Sequence, residues 1–307
     1  MKWSGVMPAI TTCFNEHDHV DHAFMANHCR WLIGNGCTGI VALGSLGEGA
    51  TLSFGEKVAV LENCAESTEG HAPVVAAISS LTTSEAVSLA EAAEEAGCEG
   101  LLVLPPYVYQ GDWREIKAHV SAVLKATRLP SMLYNNPVSY GTDFTSEHIR
   151  ELADEHSNLH SVKESSTDAR RVSGIRALAG DRLKIFIGVD DAILEGIGVG
   201  AVGWVAGLAN ALPRESVNLF NYGKEGKSDA AFELYRWFLP LLRLDTVPKF
   251  VQLVKLVQQE LGIGNARVRP PRCPLVGEEL ETTLRLIRQA VRNRPRASSS
   301  DIRQPAS

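Results

Sequence analysis

The sequence predicts an α/β fold, a (β/α)8 barrel with a small C-terminal helical appendage. Eight short apolar runs rich in strand-forming residues recur along the chain, and helix-length amphipathic segments separate them. After the eighth run the alternation stops and three helical segments follow one another. Strands joined by long crossovers pair in parallel. Eight such units in about 225 residues fit a closed barrel better than an open doubly wound sheet.

The runs, in order, are "GVMPAITTCF", "GIVALG", "PVVAAI", "GLLVLPP", "SMLYNNP", "LHSVKE", "KIFIGV" and "GAVGWVAG". They are near-continuously apolar, as expected of barrel strands covered on both faces. Between them, "TTSEAVSLAEAAEEAG" shows the helical pattern best. Ala86, Leu89, Ala90 and Ala93 share one face, Thr82 or Thr83 can cap the start, and Gly97 marks the stop. Beyond "ESVNLFNYGKEG", the segments "DAAFELYRWFLPLL", "VPKFVQLVKLVQQELGI" and "EELETTLRLIRQAVRN" read as helices. The expected division is a barrel catalytic domain over residues 1–226, a helical region over 227–295, and a polar, uncapped, disordered tail over 296–307.

With 307 residues, 45% of them hydrophobic, the chain can bury a large core. A net charge of -6 offers no basic patch, so nucleic acid is not an expected partner. No apolar run approaches the ~18 residues of a membrane span, and "MKWSGVMPAITTCF" lacks a signal peptide's pattern. A cytoplasmic protein is expected. The six cysteines show no CxxC spacing and read as free buried thiols. His17, His19, His22 and His28 lie close together without supporting carboxylate or Cys spacing, so they read as solvated loop histidines and no metal is expected.

Barrel sites sit at the carboxyl ends of strands. There the chain carries "ALGSLGEGAT", "LPPYVY", "YNNP", "VKES" and "GVDD". In "NLHSVKESSTD", Lys163 occupies the last inward position of a buried strand. Desolvation at a barrel mouth disfavours its charged form and leaves an amine that can attack a carbonyl. Strand alternation turns Glu164 toward the helix layer.

In order and placement, "GSLGE", "YNNP" and "VKES" resemble the motifs of the dihydrodipicolinate synthase and N-acetylneuraminate lyase family of Schiff-base enzymes, over residues 3 to 295. The resemblance implies that Lys163 forms the imine and that Tyr134 is the general acid/base of the carbinolamine steps. It implies that Ser45 links Tyr134 to a second tyrosine, Tyr107, which enters a neighbouring subunit's site; Tyr109 competes for that role. The Ser45 and Leu46 amides are expected to form a nest for the substrate carboxylate, with Gly44 and Gly47 permitting close approach. Gly188, Ser139, Tyr140 and Val205 are expected to complete the substrate site. Glu48 is expected to hold the loop, Asp190 and Asp191 to start the next helix, and Asn210 and Lys249 to be structural. No cofactor is expected beyond the covalent Lys163 imine, and the partners expected are a small 2-oxo or imino acid and further copies of the chain, as a tetramer or dimer.

Two departures bear on substrate. Leu46 breaks the hydroxyl pair of the tight turn, and Ser139 stands where the synthases resemble one another in an Arg that clamps the aldehyde's carboxylate. "GSLGE", "YNNPVSYGTDF" and "LDTVPKFVQL" are most similar to the hydroxyproline-catabolism branch. That similarity implies 1-pyrroline-4-hydroxy-2-carboxylate deaminase activity. The alternatives are 4-hydroxy-tetrahydrodipicolinate synthase, a 2-oxo-acid aldolase of hydroxy-oxoglutarate or sugar-acid type, and a non-catalytic 2-oxo-acid sensor.

Overall fold

The computed structural model of the chain describes residues 1–107 and 109–295. Each apolar run supplies a strand: β1 (Gly5–Pro8), β2 (Ile40–Ala42), β3 (Val74–Ile78), β4 (Gly100–Val103), β5 (Ser131–Asn135), β6 (Leu159–Glu164), β7 (Lys184–Ile187) and β8 (Gly203–Ala206). All pairings are parallel, in the order β1-β8-β7-β6-β5-β4-β3-β2. The ring closes where Ala9 bridges Val41 and the Ile10 amide donates to the Val41 carbonyl at 2.9 Å. This is a (β/α)8 barrel. All of β3 is buried, which is why the run reads as uninterrupted apolar residues.

The barrel helices are α1 (His22–Gly34), α2 (Phe54–Thr68), α3 (Thr83–Glu95), α4 (Trp113–Ala126), the single turn α5 (Pro137–Tyr140), α6 (Ser146–Glu155), α7 (Arg170–Ala179), α8 (Ile193–Gly198) and α9 (Pro213–Lys224). Thr82 caps α3 by accepting from the Glu85 amide, and Ser53 with Glu56 and Asp112 with Glu115 close capping boxes on α2 and α4. The three expected C-terminal helices follow: α10 (Ser228–Leu242), α11 (Phe250–Glu260) and α12 (Gly277–Arg292). Phe238 and Leu241, Val254 and Val257, and Ile287 continue the barrel's apolar core. The expected disordered tail lies outside the described residues.

Two residue readings change. His28 is not a solvated loop histidine. It takes its place with Met25, Cys29 and Leu32 on the buried stripe of α1, stacked between Phe24 and Trp31 at centroid distances of 5.3 and 5.5 Å. Burial lowers its pKa to about 4. Cys273 is exposed on the segment between α11 and α12, whereas the other five free cysteines are buried as expected.

Among the described residues no group of three His, Cys, Asp or Glu is arranged to hold a metal, and no helix is long and apolar enough to cross a membrane. Asn210, after β8, seals the barrel's closing seam. It accepts from the Thr11 amide at 3.1 Å and donates to the Ala9 and Gly207 carbonyls at 2.7 and 2.9 Å.

Candidate active site

The register of β5 on β6 places Tyr134 opposite Lys163 and Asn135 opposite Glu164. Strand alternation then sends the two pairs to opposite sides of the barrel wall. On the inner side Lys163 is 6% exposed, and its Nζ lies 4.0 Å from the centroid of the Tyr134 ring. It makes no hydrogen bond or ion pair with another described residue. On the outer side Asn135 donates to Glu164 at 2.9 Å and accepts from the Phe144 amide at 3.0 Å, while Glu164 also accepts from the Ser166 amide at 2.7 Å. Burial pushes the Glu164 carboxyl upward against these donors. Glu164 therefore faces the helix layer, as alternation predicts.

Gly188 follows β7 directly beneath this lysine. A Cβ there would fall 2.4 Å from Lys163 Cε and 2.1 Å from Ser165 Oγ, so the lysine stem needs a glycine beside it.

The loop after β2 turns through left-handed backbone at Leu43 (φ 65°) and Glu48 (φ 53°). Gly47 is required by space, because a Cβ would lie 2.8 Å from the Ile10 carbonyl oxygen; Gly44 borders open space. The Ser45 and Leu46 amides donate to no other described residue, which leaves them available to an anion. A 3-10 turn (Gly49–Thr51) follows the loop, and α2 begins only at Phe54, so the nest is built by the loop itself and not by an α-helix start.

Glu48 holds this loop from below. Fully buried, it takes the Lys255 ammonium at 2.5 Å on one oxygen and the Arg269 amide at 3.0 Å on the other. Lys249, read as a structural position, is instead on the surface and paired with Glu279. The buried lysine of α11 is Lys255, six residues further along, and local spacing does not distinguish it from Lys249.

The hydroxyl network also departs from expectation. Ser45 Oγ is hydrogen-bonded to the Tyr140 hydroxyl and does not reach Tyr134, whose hydroxyl accepts from Asn136 Nδ2 at 3.1 Å. Tyr140 does not line the distal pocket wall. Asn136 caps α5 by accepting from the Ser139 amide at 3.0 Å, and this turn carries Tyr140 back between Tyr134 and Tyr107, at centroid distances of 5.7 and 6.0 Å. Burial, then the neighbouring Tyr134, raises the Tyr140 hydroxyl's pKa. Tyr107 is half-buried at the outer end of this row, and Tyr109 is 56% exposed.

These strand ends and loops enclose a cavity of about 340 Å³. Ser45, Leu46, Tyr134, Ser139, Lys163, Gly188 and Val205 line it, whereas Tyr107 and Tyr140 do not. Among the described residues Lys163 is its one cation and Asp245 its one carboxyl. Asp245 belongs to the 3-10 turn Arg243–Thr246 between α10 and α11, inside the "LDTVPKFVQL" stretch; sequence patterning gave no sign that this turn faces the barrel mouth.

Asp190 also differs from its expected helix-capping role. It is fully buried and accepts from Trp204 Nε1 at 2.9 Å, the Gly207 amide at 3.0 Å and the Leu208 amide at 2.7 Å. It thus pins the end of β8 under the pocket, and burial pushes it up to about 6 despite those donors.

Comparison with known proteins places the chain among relatives of one family. The model of the dihydrodipicolinate synthetase family matches residues 2–290. A 4-hydroxy-tetrahydrodipicolinate synthase of Methanococcus maripaludis is 32% identical over 271 residues, 88% of this chain and 93% of that protein. One of Bartonella quintana is 32% identical over 288 residues, 94% of this chain and 96% of that protein. The solved structure of the synthase from Methylacidiphilum fumariolicum superposes with a TM-score of 0.90 at 29% identity, covering 95% of this chain and 98% of that one. The dihydrodipicolinate synthase of Aquifex aeolicus superposes with a TM-score of 0.89 at 27% identity, covering 94% and 98%.

Proposed function

Because the chain belongs to the dihydrodipicolinate synthetase family and is a class I Schiff-base lyase, we propose that it opens, dehydrates and deaminates 1-pyrroline-4-hydroxy-2-carboxylate to 2-oxoglutarate semialdehyde. The observation that carries this reading is the charge of the cavity wall. Among the described residues Lys163 is its one cation, Ser139 stands at the position of the aldehyde clamp, and a carboxyl, Asp245, faces the same space. Aspartate semialdehyde would bring a second carboxylate beside bound pyruvate into a wall with no cation to receive it. A partly buried anion without a partner costs several kcal/mol. The hydroxypyrroline has one carboxylate, and the Ser45 and Leu46 amides suffice for it.

In this reading Lys163 attacks C2 of the ring imine, and the C2–N bond breaks to leave a Schiff base and a free primary amine. Tyr134, whose ring lies under Lys163 Nζ, carries protons to and from the nitrogens. Loss of a C3 proton gives the enamine. Its electron pair moves to form the C3–C4 double bond as the C4 hydroxyl departs. Proton shift from C5 and hydrolysis of the resulting imine release ammonia, and hydrolysis at C2 frees Lys163.

The second reading is 4-hydroxy-tetrahydrodipicolinate synthase, favoured by the names of the relatives at 30–32% identity. Two measurements decide. Borohydride with pyruvate should add the reduced adduct's mass to the peptide holding Lys163; labelling elsewhere would sink the Schiff-base assignment to that residue. Ammonia release from the hydroxypyrroline should then exceed condensation of pyruvate with aspartate semialdehyde in kcat/KM. The reverse order restores the synthase, and release of pyruvate or glyoxylate from a hydroxy-oxo acid would establish the aldolase.

A further inference from the structure

Asp245 has no part in the roles assigned so far, yet it faces the same cavity as Lys163. Among the described residues it has no hydrogen-bond donor and no ion-pair partner. The donors at the end of β8 go to its neighbour Asp190: the Trp204 indole and the Gly207 and Leu208 amides. Asp245 lies across the same Gly207, where a Cβ would fall 2.3 Å from its Oδ1. Two carboxyls set close together in crowded surroundings do not both ionise readily. The one with three kinds of N–H donor holds charge at lower cost, and the one with none keeps its proton. Burial, then the Asp190 charge, pushes Asp245 well above the ordinary carboxyl range, with Lys163 opposing.

Resting on the deaminase reading, we propose that Asp245 is the general acid that protonates the departing C4 hydroxyl. As the enamine's electron pair forms the C3–C4 double bond and the C4–O bond breaks, the Asp245 proton passes to that oxygen. Water leaves, and Asp245 is left as a carboxylate that regains its proton from solvent through the cavity mouth. Hydroxide is a poor leaving group at neutral pH, so an elimination needs such a donor at the end of the substrate away from the imine. Tyr134 and Lys163 are occupied at C2. The aliphatic hydroxyls of the wall, on Ser45, Ser139, Ser165, Thr167 and Thr246, would leave alkoxides too basic for the task, and the protonated carboxyl is the acid suited to it.

The test compares leaving groups. Asp245→Asn and Asp245→Glu are assayed for ammonia release with the 4-hydroxy substrate and with its 4-chloro counterpart, whose chloride departs without a proton. Borohydride trapping of pyruvate on Lys163 serves as the control for a folded, competent lysine. Asp245→Asn should lose ~10²-fold or more on the hydroxy substrate, the usual scale for a positioned acid, and less than about tenfold on the chloro substrate. Asp245→Glu should recover part of the loss. Equal losses on both substrates, or no loss on either, overturn the role of Asp245 while leaving the deaminase reading intact. A wild-type enzyme that releases no ammonia from the hydroxy substrate overturns the deaminase reading, and the acid's role with it.

Discussion

Tyr134 and Tyr140 stand next to each other, but their surroundings differ. Tyr134 lies under Lys163 Nζ with its hydroxyl on Asn136, whereas the half-buried Tyr140 is bonded to Ser45 away from the cavity wall. A proton carrier must reach the reacting nitrogen, so Tyr134→Phe should lower turnover by ~10²-fold or more. Tyr140→Phe should cost less, because its hydroxyl acts at one remove through Ser45. Single-turnover rates of imine formation check this pair. If Tyr134→Phe keeps near-full rate while Tyr140→Phe loses it, the proton path runs through Ser45 and Tyr140. That network was only partly legible beforehand. The motif "YNNP" marks a strand end carrying an inward Tyr, but the single helical turn that folds Tyr140 back over it is set by the Asn136 cap and by space in the barrel mouth.

At the scale of elements, the carboxylate-binding loop depends on a helix far along the chain. Glu48 and Lys255 are 0% and 1% exposed, and they tie the loop after β2 to α11. Burial lowers the Lys255 pKa, and Glu48 works against that shift. Lys255→Met would leave Glu48 buried with the Arg269 amide and the Arg272 guanidinium at 3.7 Å. Breaking one side of a buried pair costs about 3–5 kcal/mol, more than the pair contributes over an apolar substitute. The expected outcome in urea unfolding is a loss of that size, with a raised KM for substrate as the loop loosens. The double variant Glu48→Gln/Lys255→Met should recover part of the stability. A loss below about 1 kcal/mol in the single variant would mean that the loop is held by its glycines and not by the pair.

For the whole molecule, acid sensitivity follows from the barrel seam. His28, in its Nε2–H tautomer, donates to Asn210 Oδ1 at 3.3 Å, beside the strands where the ring closes. Its pKa is lowered from 6.5 to about 4 by burial, so the folded state holds it neutral while the unfolded chain takes a proton. Its contribution is complete above pH 6.5 and is lost as pH falls toward 4, by about 3 kcal/mol in all. Asp190 works in the opposite direction. Raised from 3.8 to about 6, it is more easily protonated when folded and favours the fold as pH drops through the same window. Comparing wild type with His28→Leu cancels the Asp190 contribution. The stability difference between them should shrink, moving against wild type, between pH 6.5 and 4. A difference that stays constant over that range would place the acid transition elsewhere.

The periodic part of the molecule follows from the amino-acid pattern. Eight apolar runs spaced by amphipathic helices leave few ways to bury both faces of a parallel sheet, and strand alternation alone separates Lys163 from Glu164. The strand-end motifs also located most of the cavity, because a barrel gathers those ends at one mouth. Groups brought in from elsewhere in the chain, or from turns without a period, find their places through folding. His28 shares its helix face with three apolar residues, yet its burial depends on what packs over that face. Lys255 finds Glu48 some two hundred residues away. Asp245 reaches the mouth because the turn between α10 and α11 folds over the end of β8, against a glycine small enough to admit its carboxyl. Contacts of that kind are set by packing between distant segments, and local spacing carries no record of them.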